Sequence, residues 1–160
     1  MTIAKAAAAL LAAAVLMLTP VTLGFCQSAS PIAPPVAGKV HKLAIQVDEN
    51  KPEIMNLALN NAKNVLEHYK ARGEAVLVEI VAYGPGLHML RDDTSPVKAR
   101  IAEMSLAEPG LAFIACGNTQ ASHSRQEGRA ITLLSEAKVM PSGVVRLMEL
   151  QSEGYAYIRP

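Results

Sequence analysis

The run Ala75-Val76-Leu77-Val78-Glu79-Ile80-Val81-Ala82 constrains this chain more than any other segment. It is nearly all apolar, rich in β-branched side chains, and lacks the alternation of a strand with one wet face. A strand of that kind is buried on both faces and belongs in a parallel sheet. The rest of the pattern agrees. Lys42 to Val47 reads as a short apolar strand. Asn50 follows as an N-cap with Glu53 three residues on, a capping-box spacing. The helix expected from about Lys51 to Ala71 carries Ile54, Leu57, Ala58, Val65 and Tyr69 on one stripe and stops at Gly73. Ser95-Pro96 opens a helix to about Ser105, with Pro at its first position. Pro109-Gly110 turns into a strand, Leu111 to Ala115, and a polar helix runs from about Thr119 to Glu127. Lys138-Val139-Met140 is a fourth strand. Ser142 caps a helix from Gly143 to Glu153, Gly154 ends it, and Tyr155 to Arg159 is the last strand. Alternating β and α units with short loops predict a layered α/β domain with a mostly parallel sheet.

Residues 1–29 read differently. One basic side chain, Lys5, precedes the unbroken apolar run Ala6 to Leu18, and small residues follow at Ser28, Ala29 and Ser30. This is the pattern of a secretory signal peptide, cut after Ser28 or Ala29. Two other readings stay open. Bridging Pro20, the apolar stretch to Phe25 spans about 20 residues, enough for an uncleaved membrane anchor. Leu23-Gly24-Phe25-Cys26 approximates a lipid-attachment box, with a bulky Phe25 where a small residue is expected. All three place the rest of the chain in the periplasm or outside the cell, with any membrane contact through the leader alone. Residues 30–40, rich in Pro and Ala, form an extended linker. Residues 41–160 then make one compact domain of about 120 residues.

Charge narrows the partners. There are 15 Lys and Arg against 14 Asp and Glu, and Lys5 leaves with the leader, so the mature chain is balanced. With no Trp and few aromatics, it offers no electrostatic case for nucleic acid. The seven Met, including Met55, Met104 and Met148, sit at helical positions and read as core.

Cysteine usage is more telling. Cys26 leaves with the leader, so Cys116 is the only thiol in the mature chain. Exported proteins usually pair their cysteines, and an odd one is either a reactive thiol or a buried small hydrophobe. Cys116 closes the strand Leu111 to Ala115 and opens Gly117-Asn118-Thr119. Open α/β sheets place ligands at such strand ends. The N–H groups of a helix starting there favour thiolate over thiol. Asn118 and Thr119 either cap that helix or hydrogen-bond a bound group.

Other candidates lie on the same sheet edge. His88, in Tyr83-Gly84-Pro85-Gly86-Leu87-His88-Met89, is a possible acid–base partner of the thiol, against a packing or surface role. The glycines of that loop make a tight turn and no dinucleotide fingerprint, since Met89 stands where the third Gly would. Asp48 follows the first strand as a ligand or capping group. Arg146 and Arg125 are candidate anion-binding cations, and His123 belongs to a solvated face. Ser95-Pro96-Val97-Lys98 matches a bare Ser-x-x-Lys pattern without its companion motifs. The four His show no zinc spacing with Cys116. No metal and no cofactor is expected.

Seven segments together resemble the DsrE/DsrF-like family, in an exported branch. They are Ile45 to Asn50, Met55 to Ala62, Glu79 to Leu87, Thr94 to Lys98, Ala115 to Thr119, Pro141 to Gln151 and Gly154 to Pro160. The resemblance implies a three-layer α/β/α sandwich on a five-stranded, mostly parallel sheet, assembled as a trimer or hexamer. Members of that family relay sulfur as a cysteine persulfide, and the matching position here is Cys116. Those relays are cytoplasmic, so the sulfur donor or acceptor protein of an exported chain must be a different one. Three functions stay open at this level. The chain carries sulfur on Cys116, or is a non-catalytic module binding a small ligand or protein, or is a structural oligomer with Cys116 at a subunit contact.

Overall fold

The computed structural model describes residues 38–160. The expected leader, residues 1–29, and most of the linker lie outside the described residues. Positions 38–40 are exposed coil leading into the first strand. No helix among the described residues is long and apolar enough to cross a membrane.

Five strands, β1 (His41–Val47), β2 (Val76–Ala82), β3 (Leu111–Cys116), β4 (Ala137–Met140) and β5 (Ala156–Ile158), form one sheet in the order β4-β3-β2-β1-β5. Every pairing is parallel. The helices are α1 (Pro52–Ala71), α2 (Lys98–Ala107), α3 (Gly117–Glu127) and α4 (Gly143–Ser152), with a 3-10 helix, η1 (Gly84–Leu90), after β2. The three-layer α/β sandwich expected from the sequence is what the chain forms.

The two faces of the sheet are covered unequally. Inward residues of β1 to β3 (Ile45, Ile80, Phe113) pack with Met55 and Leu59 of α1, Ile101 of α2 and Leu87 and Leu90 of η1 in one large core. On the other face Ala44, Val81 and Ile114 meet Leu147 and Leu150 of α4 and Tyr155 in a small core. The topology explains this. Successive steps from β1 to β4 move one way across the sheet, and right-handed crossovers put their helices on a single face. The step from β4 back to β5 runs the other way and puts α4 alone on the opposite face.

Local departures from the expected pattern have physical reasons. Asn50 does not cap α1. Pro52 starts the helix and holds the preceding Lys51 extended, at φ −129° and ψ 120°, so the cap position falls one residue late and has no side-chain acceptor. The buried stripe of α1 is Met55, Ala58, Leu59, Ala62 and Leu66, rotated from the expected one, and Leu57 is exposed. The helix α2 begins three residues after Ser95, whose hydroxyl instead donates to Met89 O at 2.6 Å. Met148, expected in the core, is 63% exposed. The loop after β2 is no simple turn. It winds into η1 because Leu87, Met89 and Leu90 are buried by doing so. A Cβ on Gly86 would come within 2.2 Å of Val47 O, so only glycine lets η1 lie on the end of β1.

Candidate functional site

Neighbouring strands β3 and β4 feed helices on opposite faces of the sheet, so the crevice between their C-terminal ends lies between two helix starts. Cys116 sits there. It is the last residue of β3 and the residue that precedes α3, at φ −76° and ψ 113°. Its register partner is Met140, the last residue of β4. A chain that leaves β3 for one face and β4 for the other opens two helix N-termini around the same point.

Both helix starts address the sulfur. Burial, with 5% of Cys116 exposed, pushes its thiol up. Hydrogen bonds from the Thr119 hydroxyl and from the backbone N–H groups of Gly143, Thr119 and Asn118 outweigh that and leave the thiol below its ordinary value. Gly143 begins α4, whereas Asn118 and Thr119 lie in the first turn of α3. The Asn118 N–H is shared with Pro141 O, 3.1 Å away, and contributes least. Thr119 is itself oriented. Its Oγ1 accepts the Gly84 N–H at 3.0 Å, which leaves the hydroxyl proton free to turn to the sulfur.

Gly143 explains how α4 comes so close. A Cβ there would stand 3.1 Å from Tyr83 Cβ and 3.3 Å from Cys116 Cβ. Tyr83 thus forms a wall of the site that the sequence reading passed over. It is the first residue after β2, and in a parallel sheet that position opens on the same edge as Cys116. Burial, then the nearby Asp48 carboxylate, pushes its phenol up. Gly84, Pro85, Asn118, Thr119, Ser122, His123 and Gln126 line an open groove of about 440 Å³ between η1 and α3. The two residues whose N–H groups meet the sulfur from α3 therefore also face solvent.

Of the residues singled out from the sequence, Cys116, Gly117, Asn118 and Thr119 are together. The others have different work. His88 Nδ1 bonds Thr94 Oγ1 at 2.8 Å, and its ring lies beside His123, so its hydrogen bond goes to a hydroxyl and not to the thiol. Asp48 is held by Arg159 Nε at 3.0 Å and neither caps α1 nor stands free. Arg146 is no anion site. It reaches from α4 to Glu79 on β2 through Nη2 and Nε, at 2.7 and 3.0 Å, and to Glu149 and Glu153. This pair accounts for an acid within the apolar β2 run, since Glu79 lies on the face that only α4 covers. Among the described residues, no three His, Cys, Asp or Glu side chains come together as a metal-binding group.

Arg91 escaped the sequence reading altogether. It is 1% exposed and bonds Asp93 and Glu127, with Nη1 to Glu127 at 2.5 Å. Arg91 holds the Asp93 carboxyl well below the usual carboxylate range, with Arg129 adding to it. The pairing ties the end of η1 to the end of α3, since Arg91 follows the first and Glu127 closes the second. A single Arg followed by Asp92 and Asp93 reads as part of a solvated loop and carries no signal that it will be buried.

No protein-family model and no curated protein matches the chain. A solved structure does. The protein of unknown function MTH1491 from Methanobacterium thermoautotrophicum is 33% identical, with 75% of this chain and 99% of that one covered and a TM-score of 0.62. The chain belongs to the same family as that archaeal protein.

Proposed function

We propose that the protein carries sulfane sulfur on Cys116 as a persulfide, in the periplasm or outside the cell, as the exported branch of a DsrE/DsrF-like family would. The observation that carries this reading is the convergence of two helix N-termini and the Thr119 hydroxyl on one buried thiol at the C-terminal end of β3. A thiolate so held is a nucleophile toward divalent sulfur. It attacks a sulfane sulfur of a polysulfide. A bond forms from Cys116 Sγ to that sulfur, the old S–S bond breaks, and its electron pair leaves on the departing hydrosulfide or shorter polysulfide. Unloading is the same step in reverse sense. An acceptor thiolate attacks the outer sulfur and the electron pair returns to Cys116. No external oxidant enters either step. The same N–H groups suit the persulfide anion, which is larger but equally negative.

Mass spectrometry tests it. Purified protein treated with polysulfide and freed of excess reagent should gain the mass of one sulfur atom, and Cys116→Ser should gain none. An unmodified wild-type thiol under those conditions overturns the reading.

A second reading has its own observation. Val144, Val145 and Met148 of α4 and Val139 of β4 are all about half exposed or more, close to the site. That apolar stripe favours a binding module or a homo-oligomer, a trimer or hexamer by the family resemblance, in which Cys116 is structural. Under this reading Cys116→Ser leaves binding intact, whereas a charge at Met148 abolishes it.

A further inference from the structure

The seam between η1 and α3 is joined at three levels. At the level of Cys116, Gly84 N–H donates to Thr119 Oγ1 at 3.0 Å. Lower down, the rings of His88 from η1 and His123 from α3 lie with centroids 5.4 Å apart. At the base, Arg91 bonds Glu127, with Nη1 at 2.5 Å and Nη2 at 3.0 Å. The first contact aims the Thr119 hydroxyl at the sulfur. The second is the only one of the three whose charge changes near neutral pH.

The chemistry of that middle level is one-sided. Arg91 Nη1 lies 3.5 Å from His123 Nδ1. A guanidinium only donates, so any hydrogen bond between them needs His123 Nδ1 as its acceptor. His88 faces the same surroundings. The groups around it are Arg91 and His123, which oppose a positive charge, and Glu127 and Asp93, which favour one. Both carboxylates are already engaged by Arg91. Burial first, then Arg91, holds the His88 imidazole below its ordinary value.

We propose that this seam is a proton-operated clamp on the Cys116 thiolate: protonating His88, which faces His123 and Arg91, pushes η1 from α3 and loosens the Gly84–Thr119 bond that directs the Thr119 hydroxyl to the sulfur. The clamp rests on the thiolate reading of the site and adds its regulation. Closed, above the histidine range, it keeps the sulfur nucleophilic. Open, in acid, it removes one donor and lets the thiol rise toward its ordinary value. The sign follows from linkage. His88, lowered on folding, contributes stability that is fully present above its unfolded pKa of about 6.5 and is lost as pH falls through its lower folded value.

The test is the rate at which iodoacetamide alkylates Cys116 as a function of pH. An isolated thiol below its pKa loses tenfold in rate for each pH unit, about the whole thiolate dependence. The clamp predicts a steeper fall through the histidine range, by an additional factor of about ten, the worth of one hydrogen bond to an ionised group. The double variant His88→Gln, His123→Gln should show only the simple slope. Amide exchange at Gly84 gives a second readout on unmodified protein, and its protection should fall over the same pH interval. A simple slope in the wild type, an unchanged slope difference in the double variant, or constant protection at Gly84 would overturn the clamp. Failure of sulfur loading would show separately, as a missing mass adduct on a thiol whose alkylation still follows the clamp profile.

Discussion

The two faces of the sheet solve the same burial problem with different materials. The face beneath α1, α2 and η1 is a continuous apolar core in which Ile45, Ile80 and Phe113 are fully buried. The face beneath α4 has a small apolar patch, a bridging Arg146–Glu79 pair and three exposed apolar side chains on the helix that covers it. The first face holds the fold together. The second brings a helix N-terminus, with Gly143 at its tip, against the thiol. Cys116 is reached from both, because its own helix α3 belongs to the first face and Gly143 to the second. The lesson is that the thinly covered face is where a site can be assembled without opening the main core.

Substitutions can break or sharpen this contrast. The largest effect should come from the thick face. Phe113→Ala should cost about 3–5 kcal/mol in denaturant unfolding, because no neighbour can collapse into so central a cavity. Leu147→Ala on the α4 face, 5% exposed, should cost about 2–3 kcal/mol, since a helix at the surface can settle onto the sheet. Equal losses at the two positions would mean that the faces are energetically alike. Next comes Arg146→Met. It strands Glu79 beneath α4, but both partners keep some solvent (17% and 14%), so the loss should be about 1–3 kcal/mol. Adding Glu79→Leu to it should restore stability, and no recovery would show that the pair does more than satisfy itself.

Smaller effects bear on the site. Thr119→Val keeps the shape of the side chain but removes both its acceptor for Gly84 and its donor to sulfur. The Cys116 thiol should move up toward its ordinary value in an ultraviolet thiolate titration. No movement would remove the hydroxyl from the cradle. The smallest effect on folding is expected for Met148→Lys, within about 0.5 kcal/mol because the side chain is 63% exposed. Sedimentation of the same variant then tells whether the α4 stripe meets another subunit. A loss of assembly marks the stripe as an interface, whereas unchanged assembly leaves it a solvent face.

Much of the architecture could be read along the chain because it is written in local patterns. A β2 run without alternation implies burial on both faces, and the sheet is parallel throughout. Gly73 and Gly154, with φ of 68° and 86°, follow helices that stop where those glycines stand. The end of β3 was legible as a site for the same reason, since a strand-to-helix turn at Cys116 needs only sequence order. What failed was whatever depended on phase or on distance. The stripe of α1 was off by a rotation because Ala62 and Leu66 weigh little more in the pattern than Leu57 and Val65. Arg146 looked like a free cation because its partner Glu79 lies 67 positions away.

By itself, the sequence determined the order of elements, the parallel sheet and the place of the thiol on its edge, since each follows from contacts among near neighbours. Only the tertiary structure decided what surrounds that thiol. The β4-to-β5 return sends α4 to the opposite face, and that single long crossover brings Gly143 to the sulfur and Arg146 to Glu79. The burial of Arg91 and the seam between η1 and α3 have the same origin. They join residues more than thirty positions apart, and packing in three dimensions, not local propensity, chooses such partners.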